Sequence, residues 1–356
     1  MTTTERFAKT FKIGDRMVGE GFPALVIADL GGNFDGSLDK AKKLAKQVKD
    51  AGGDVVKIQS FLADKIVSGK GFASMKLEGV HGSWGKPVEE VFKEAEFPRE
   101  WHKEFFDYCR EIGILATSSP YDYEAVDIMD EAGVPFYKIG SGDITWLEMI
   151  EYIAKKGKPV VLATGAATLS EIDEAIKVIE ATGNKEIALL QCITNYPSKV
   201  ESANIKVMDT YKTAFDIMVG YSDHTYSDTV VLGAVARGAK VIEKHFTDDK
   251  KNAGPDHPHS MEPKQFADMM VRIRDMEAAL GSSRKEVVAE ESETVVVQRR
   301  ALYATEDIKA GEIIGDRLIE LRPALGIYPK FKKQVAGLSA KKDITKGEAI
   351  YWESLI

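Results

Sequence analysis

The chain has 356 residues, 44% apolar and 29% charged, an ordinary globular composition that at roughly 100–200 residues per domain predicts two domains. Forty-eight Lys plus Arg against 56 Asp plus Glu give a net charge of −8 with no long basic run, which argues against nucleic acid or an anionic membrane as partner. The apolar runs are far shorter than the ~18 residues of a membrane helix, Met1–Arg6 lacks a signal peptide's apolar segment, and two cysteines, Cys109 and Cys192, make no disulfide framework, so a soluble, unprocessed, cytoplasmic protein is expected.

In chain order, an apolar segment at residues 10–22 precedes a β-rich run, Ala24–Leu30, and a stretch of helical period, Leu38–Ala51. The next run, Val55–Phe61, leads into a Lys- and Gly-rich insertion at 62–98. Regular alternation then resumes. Helical segments Arg99–Ile112, Tyr123–Ala132, Thr145–Ala154, Leu169–Ala181, Ala203–Thr213 and Tyr226–Arg237 separate the runs Gly113–Ser118, Phe136–Ile139, Pro159–Ala163, Ile187–Ile193, Ile217–Tyr221 and Val241–Phe246. A last helix, Pro263–Leu280, has proline in its first turn and Gly281 after its end. Eight such units predict a (β/α)8 TIM barrel over residues 1–281, with the 62–98 insertion above its active-site face. A doubly wound sheet is the competing fold, but neither a G-x-G-x-x-G nor a G-x-x-x-x-G-K-[ST] motif is present. Residues 282–294 read as a polar, acidic linker. In 295–356 the stretch Asp307–Ile314 recurs as Asp343–Ile350, predicting a small pseudo-symmetric β-rich domain that leans on another surface.

Barrel enzymes work at the C-terminal ends of their strands, so polar residues there at i, i+2 spacing are the informative ones. Lys57 and Gln59 end the second run, Lys138 and Ser141 the fourth, Ser222 and His224 the seventh, and Glu243 and His245 the eighth. Each has a bland reading as a barrel ion pair or a hydrogen-bonded core residue. Together they are harder to dismiss, because His224 and His245 come from neighbouring strands and can converge on one divalent ion of the Mn, Fe, Co or Zn type. Lys57 and Lys138, with Ser118, Ser119, Ser141 and Ser222, compose a pocket for a phosphorylated, carboxylated small anion.

The ordered motifs V-K-I-Q-S-F (56–61), S-S-P-Y-D (118–122), Y-K-I-G-S-G-D (137–143), A-T-G (163–165), N-Y-P (195–197), G-Y-S-D-H-T (220–225), I-E-K-H-F-T (242–247) and G-P-D-H-x-x-S-M-E-P (254–263) resemble those of the sialic acid synthase family. L-R-P-x-x-G-I-x-P at 321–329, with the repeat around it, is similar to that family's antifreeze-like (SAF) domain. The resemblance implies a synthase that joins phosphoenolpyruvate to an open-chain N-acetylated hexose, N-acetylmannosamine or a close relative, to make a nine-carbon 2-keto acid and phosphate. It implies His224 and His245 as ligands of a divalent metal, Mn2+ first, with Mg2+ or Co2+ as alternatives. Lys57, Ser119, Lys138, Ser141, Thr194 and Ser222 would hold phosphoenolpyruvate, and Gln59, Tyr196, Glu243 and Asp256 would face the sugar. The small domain would be swapped across a homodimer, bringing Arg322 to the partner's sugar site. Glu243 is the first choice for proton transfer, with Asp256 and Asp29 as rivals. Three positions depart from the family pattern: Asp29 stands for the usual Glu, Phe34 for a His and Ala163 for a Ser. Legionaminate or pseudaminate synthesis on a diacetamido hexose, a metal-dependent aldolase or isomerase, and a carbohydrate- or ice-binding module are the alternative readings.

Overall fold

The computed structural model describes residues 6–76, 82 and 84–356; residues 1–5, and residues 77–81 and 83 of the insertion, lie outside the described residues. The chain divides into two compact units, Met1–Gly281 and Ser282–Ile356.

The first unit opens with an antiparallel hairpin of β1 (Thr10–Ile13) and β2 (Arg16–Gly19). Eight parallel strands follow: β3 (Leu25–Asp29), β4 (Val55–Ser60), β5 (Leu115–Pro120), β6 (Tyr137–Ile139), β7 (Val160–Ala163), β8 (Ile187–Cys192), β9 (Met218–Asp223) and β10 (Val241–His245). Their order, β5-β4-β3-β10-β9-β8-β7-β6, is that of a nearly closed barrel. At the seam between β5 and β6 the Thr117 hydroxyl donates to the Phe136 carbonyl at 2.6 Å.

Because helices cover the outside of the sheet, strands such as β3, β8 and β9 are buried along their whole length and read as apolar runs. Each helix lays one apolar stripe on them. The helix Leu169–Ala181 starts with a Thr168–Glu171 capping box and buries Ile172, Ala175, Ile176 and Ile179. Inside the barrel, Leu25, Ile27, Val55, Phe136, Val161 and Val241 form a second apolar layer. The hairpin's Phe11, Ile13 and Val18 join that layer, so the extra segment ahead of the first strand plugs the barrel's N-terminal end.

Several boundaries differ from the pattern. The strand expected at Gly113–Ser118 runs Leu115–Pro120, because Gly113 is the left-handed cap of the preceding helix, with φ 71°. The helix expected at Ala203–Thr213 is Val207–Phe215, delayed by a 3-10 turn at Val200–Ser202 and a positive φ at Asn204. The helix expected from Tyr226 starts at Thr229, since residues 224–228 are wound around a buried lysine described below. Leu280, at the last turn of the helix Pro263–Leu280, is exposed, while Phe266, Met269, Met270 and Ile273 are buried.

In the second unit, a helix at Ser292–Gln298 occupies the end of the expected linker. β11 (Ala301–Ala304) pairs antiparallel with β12 (Leu318–Leu321). The two repeat copies meet each other through single bridges rather than continuous strands, with Ile308 opposite Ile344. Asp307 accepts from the Lys346 amide at 2.8 Å and Asp343 from the Ala310 amide at 2.9 Å, so each copy caps the other's turn. Among the described residues no helix is long and apolar enough to cross a membrane.

Candidate active site

Side chains alternate along a strand, so Lys57 and Gln59 on β4, Ser222 on β9, and Glu243 and His245 on β10 all point into the barrel mouth. They line a cavity of about 250 Å³, together with Asp29, Lys138, Ser141, Thr194, Tyr196, His224 and Asp256. Thus most of the residues singled out in the sequence share one cavity. Ser118 and Ser119 do not line it: Ser118 is buried against Ser60, hydroxyl to hydroxyl at 2.6 Å, and Ser119 lies behind Lys57, with its hydroxyl 3.4 Å from the ammonium; Arg322 belongs to the second unit, where it is exposed.

At the floor lie two ammonium and two carboxylate groups, all buried. The Lys57 ammonium is 2.8 Å from Asp29 Oδ2 and 3.3 Å from Glu243 Oε1, and the Lys138 ammonium is 3.2 Å from Glu243 Oε2. Burial raises the affinity of Asp29 for a proton, but Lys57, His245 and Lys138 outweigh it and hold Asp29 well below the usual carboxylate range. Lys57 is pulled down by burial and pushed further up by Asp29 and Glu243, so it stays charged. Glu243 is held low against its own burial by Lys138 and Lys57. Asp29 is fixed by the Gly31 amide and the Gln59 side chain, whereas among the described residues neither Glu243 oxygen receives a hydrogen bond despite the two nearby ammonium groups. Glu243 is therefore the carboxylate of this quartet that is free to exchange partners.

Imidazoles form the opposite wall. His224 donates Nδ1–H to the Ile193 carbonyl at 2.9 Å, and its ring centroid is 5.4 Å from that of His245. His259 meets His245 edge-on with ring centroids 4.9 Å apart, and Tyr196 packs on His224 at 4.2 Å. Burial makes His245 and His259 poor bases, at about 4 and about 3, which leaves nitrogen lone pairs available at neutral pH. His224 is drawn down by burial but up, on balance, by Cys192, whose sulfur is 3.8 Å from Nδ1. The unpartnered buried nitrogens His245 Nδ1 and His259 Nε2 beside Asp256 fit a divalent ion.

Between the inward-facing residues the same strands carry an outward pair. Lys244 on β10 sits opposite Asp223 on β9, and the ion pair of 2.7 Å has side-chain exposures of 1% and 0%. The ammonium also donates to the carbonyls of Thr225 and Ser227, and Asp223 accepts from the Thr225 amide and hydroxyl, each at 3.0 Å. This knot winds the 224–228 loop around Lys244 and sets where His224 leaves the strand.

The insertion supplies the outer wall. Ile66, Trp84, Val91, Phe92 and Ala95 line the cavity with Phe61, whose ring lies 5.4 Å from Phe92. Phe34, at the position of a missing imidazole, is buried edge-to-face against Phe97 at 5.2 Å, so it serves the core. Ala163 likewise belongs to the barrel's inner apolar layer. Sequence reasoning missed His259, Tyr121 and Cys192 as members of the site. The His257-x-His259 spacing was the available signal for the first. Tyr121 was visible only as a letter of the S-S-P-Y-D motif, and Cys192 sits at a strand end without any motif of its own.

A barrel whose mouth gathers buried ammonium, carboxylate and imidazole groups around one cavity defines an enzyme acting on a small anion. Residues 44–285 match the NeuB family and residues 299–356 the SAF domain. The chain belongs to the NeuB family, and it is a phosphoenolpyruvate-dependent synthase that forms a carbon–carbon bond. It is 39% identical to the N,N'-diacetyllegionaminic acid synthase of Campylobacter jejuni over 327 residues, covering 90% of this chain and 97% of that one. It is 34% identical to the pseudaminic acid synthase of the same species over 330 residues, covering 91% and 94%. The crystal structure of the N-acetylneuraminic acid synthetase of Leptospira borgpetersenii matches with a TM-score of 0.72 at 28% identity, covering 81% of this chain and 96% of that one.

Proposed function

We propose that the barrel mouth condenses phosphoenolpyruvate with the open-chain form of an uncharged N-acetylated hexose, giving a nine-carbon 2-keto acid and phosphate. The observation that carries this reading is the floor quartet, in which Glu243 lies between Lys57 and Lys138 without a hydrogen bond of its own. A phosphorylated carboxylate can take over the two ammonium groups there, because charge-assisted contacts to a multiply charged anion outcompete one carboxylate. Ser141, Ser222 and Thr194 supply hydroxyls around it, and Ser119 steadies Lys57 from behind. Carbon 3 of phosphoenolpyruvate then attacks the sugar's aldehyde carbon, water adds at carbon 2, and phosphate leaves. Glu243, released from the lysines, is placed to move protons at the sugar hydroxyls, with Asp29 and Asp256 flanking it. Gln59 and Tyr196 face the sugar. A divalent ion, Mn2+ first and Mg2+ or Co2+ otherwise, would be held by His224 and His245 and would supply Lewis-acid polarisation of the aldehyde oxygen.

Among the described lining residues the only lysines or arginines are Lys57 and Lys138, both engaged at the floor, so the barrel's own lining favours an uncharged sugar over a sugar 6-phosphate. N-acetylmannosamine fits that description. The apolar outer wall of Phe61, Ile66, Trp84, Val91 and Phe92 also favours a diacetamido hexose, whose methyl groups it would cover, in line with the Campylobacter jejuni relative. The small second domain, residues 295–356, is proposed to cap a partner's barrel in a swapped homodimer and to offer Arg322 to the sugar; the protein is assigned to the cytoplasm, where both cysteines stay reduced.

Phosphate release from phosphoenolpyruvate and Mn2+, assayed across N-acetylmannosamine, its 6-phosphate and diacetamido hexoses, tests this. Turnover is expected with an uncharged sugar, and absence of phosphate release with every sugar refutes the reading. His245→Ala should remain folded and lose turnover, and full activity of that variant in EDTA would remove the metal from the proposal.

A further inference from the structure

The G-P-D-H-x-x-S-M-E-P motif that carries the family resemblance leaves position 259 open, and this chain places a histidine there. His259 ends the 3-10 turn His257–His259 and is buried beside the site. Among the described residues its Nε2 has no hydrogen-bond partner, and it lies 3.9 Å from Asp256 Oδ1. His245 Nδ1 is equally without a partner, and its ring is 4.9 Å from that of His259. Asp256 gives one oxygen to the Gly32 amide at 2.8 Å, and its other oxygen is the one nearest His259. Ligand atoms of His245, Asp256 and His259 all lie within 4.8 Å of one another. The backbone has made room for this approach: a Cβ on Gly31, which has φ +50°, would stand 2.2 Å from Asp256 Oδ2 and 3.2 Å from His245 Nδ1.

Two unpartnered buried imidazole nitrogens and a carboxylate oxygen converging on one point require a common occupant, since polar atoms buried without partners are rare in folded proteins. His245 Nε2 lies 3.4 Å from Asp29 Oδ2; with the ring N–H on that side, and with the N–H of His259 on its Nδ1, the two facing nitrogens and the Asp256 oxygen are all acceptors and suit a cation. Imidazole-rich sites bind Fe2+, Co2+, Ni2+ and Zn2+ in preference to Mg2+ or Mn2+, which suit oxygen ligands.

We propose that His259 is a third ligand of the metal site, acting with His245 and Asp256, and that it tilts the site towards late first-row ions. The proposal rests on the reading that the barrel mouth holds a metal. His257 braces the turn: it bonds the Thr247 hydroxyl at 2.6 Å and Asp35 at 2.8 Å, which holds the segment from Asp256 to His259 against the barrel.

The test uses full-length, metal-stripped protein titrated with Co2+ and with Mn2+ as the probes, following the visible absorption of bound Co2+ and the free Mn2+ signal in electron paramagnetic resonance. For His259→Ala we expect at least a tenfold loss of Co2+ affinity, a changed Co2+ spectrum and a Co2+-to-Mn2+ affinity ratio at least tenfold lower. His259→Gln keeps the side-chain volume and should show the same ratio change if the alanine variant unfolds. His245→Ala is the reference. If it loses Co2+ binding while both His259 variants keep wild-type affinity and spectrum, the third ligand is overturned and the metal reading stands. If His245→Ala and the His259 variants all bind Co2+ like the wild type, both are overturned.

Discussion

Three imidazoles are buried in the neutral form: His102 and His245 are pushed down to about 4 and His259 to about 3, each chiefly by burial. Unfolding returns each to about 6.5, so between pH 6.5 and 4 the unfolded chain binds more protons than the native one and stability falls as pH falls. At pH 5 each contributes a loss of about 2 kcal/mol at about 1.4 kcal/mol per pKa unit, or roughly 6 kcal/mol for the three. Two groups oppose this. Asp143, raised by burial to about 6, holds its proton more tightly when folded and offsets about 1.4 kcal/mol at pH 5. His224, whose folded value is raised, offsets a further part. The metal-free protein should therefore lose on the order of 4 kcal/mol or less between pH 7.5 and 5, while the low-lying carboxylates Asp29 and Glu243 leave their stabilisation intact until pH drops below about 4.5. Urea unfolding followed by circular dichroism reads this as a fall in midpoint at constant m. His102→Gln, outside the cavity, should make the profile shallower by about 2 kcal/mol at pH 5. A midpoint unchanged down to pH 5 would refute the claim that these rings are held neutral by the fold.

Lys138→Met should weaken phosphoenolpyruvate binding by about 2–3 kcal/mol while the sugar's KM moves little, measured by initial rates with each substrate varied in turn; an unchanged phosphoenolpyruvate affinity makes Lys138 only a partner of Glu243. Lys244→Met leaves Asp223 buried and uncompensated, so denaturant titration should show a loss of about 3–5 kcal/mol, much of it recovered in the Asp223→Leu/Lys244→Met double variant. If Arg322 acts across a dimer, mixing inactive Glu243→Ala and Arg322→Ala chains should restore about a quarter of wild-type activity, as random pairing gives. Mixed dimers seen by native mass spectrometry without any activity would place Arg322 elsewhere.

The barrel was legible because eight strands buried on both faces are continuous apolar runs, and its floor was legible because Lys57, Glu243 and His245 occupy alternating positions near strand ends. Residues brought in by loops were harder. His259 reaches the site through a 3-10 turn with no periodicity to read, and the insertion's role as a wall depends on where Phe92 and Val91 fold back. Lys244 and Asp223 were visible only as letters of two motifs; that they pair outside the barrel follows from the β9–β10 register, which a single strand's sequence does not contain. Phe34 was read as a lost site imidazole because position within a motif says nothing about which way a side chain turns; its ring contacts with Phe97 and Trp101 decide that.

The hairpin of β1 and β2 closes the barrel from below with Phe11, Ile13 and Val18. Traffic to Lys57 and Lys138 therefore runs through the mouth, past Tyr196 and the insertion's aromatic rings. A ligand seated on the floor has to arrive before one seated above it and depart after it. With phosphoenolpyruvate on the two lysines as proposed, steady-state kinetics should follow a last-in, first-out order: phosphoenolpyruvate should bind ahead of the sugar, and the nine-carbon product should clear before phosphate. Inorganic phosphate should accordingly compete with phosphoenolpyruvate and not with the sugar, a kinetic signature set by a short strand pair on the far side of the molecule from the chemistry.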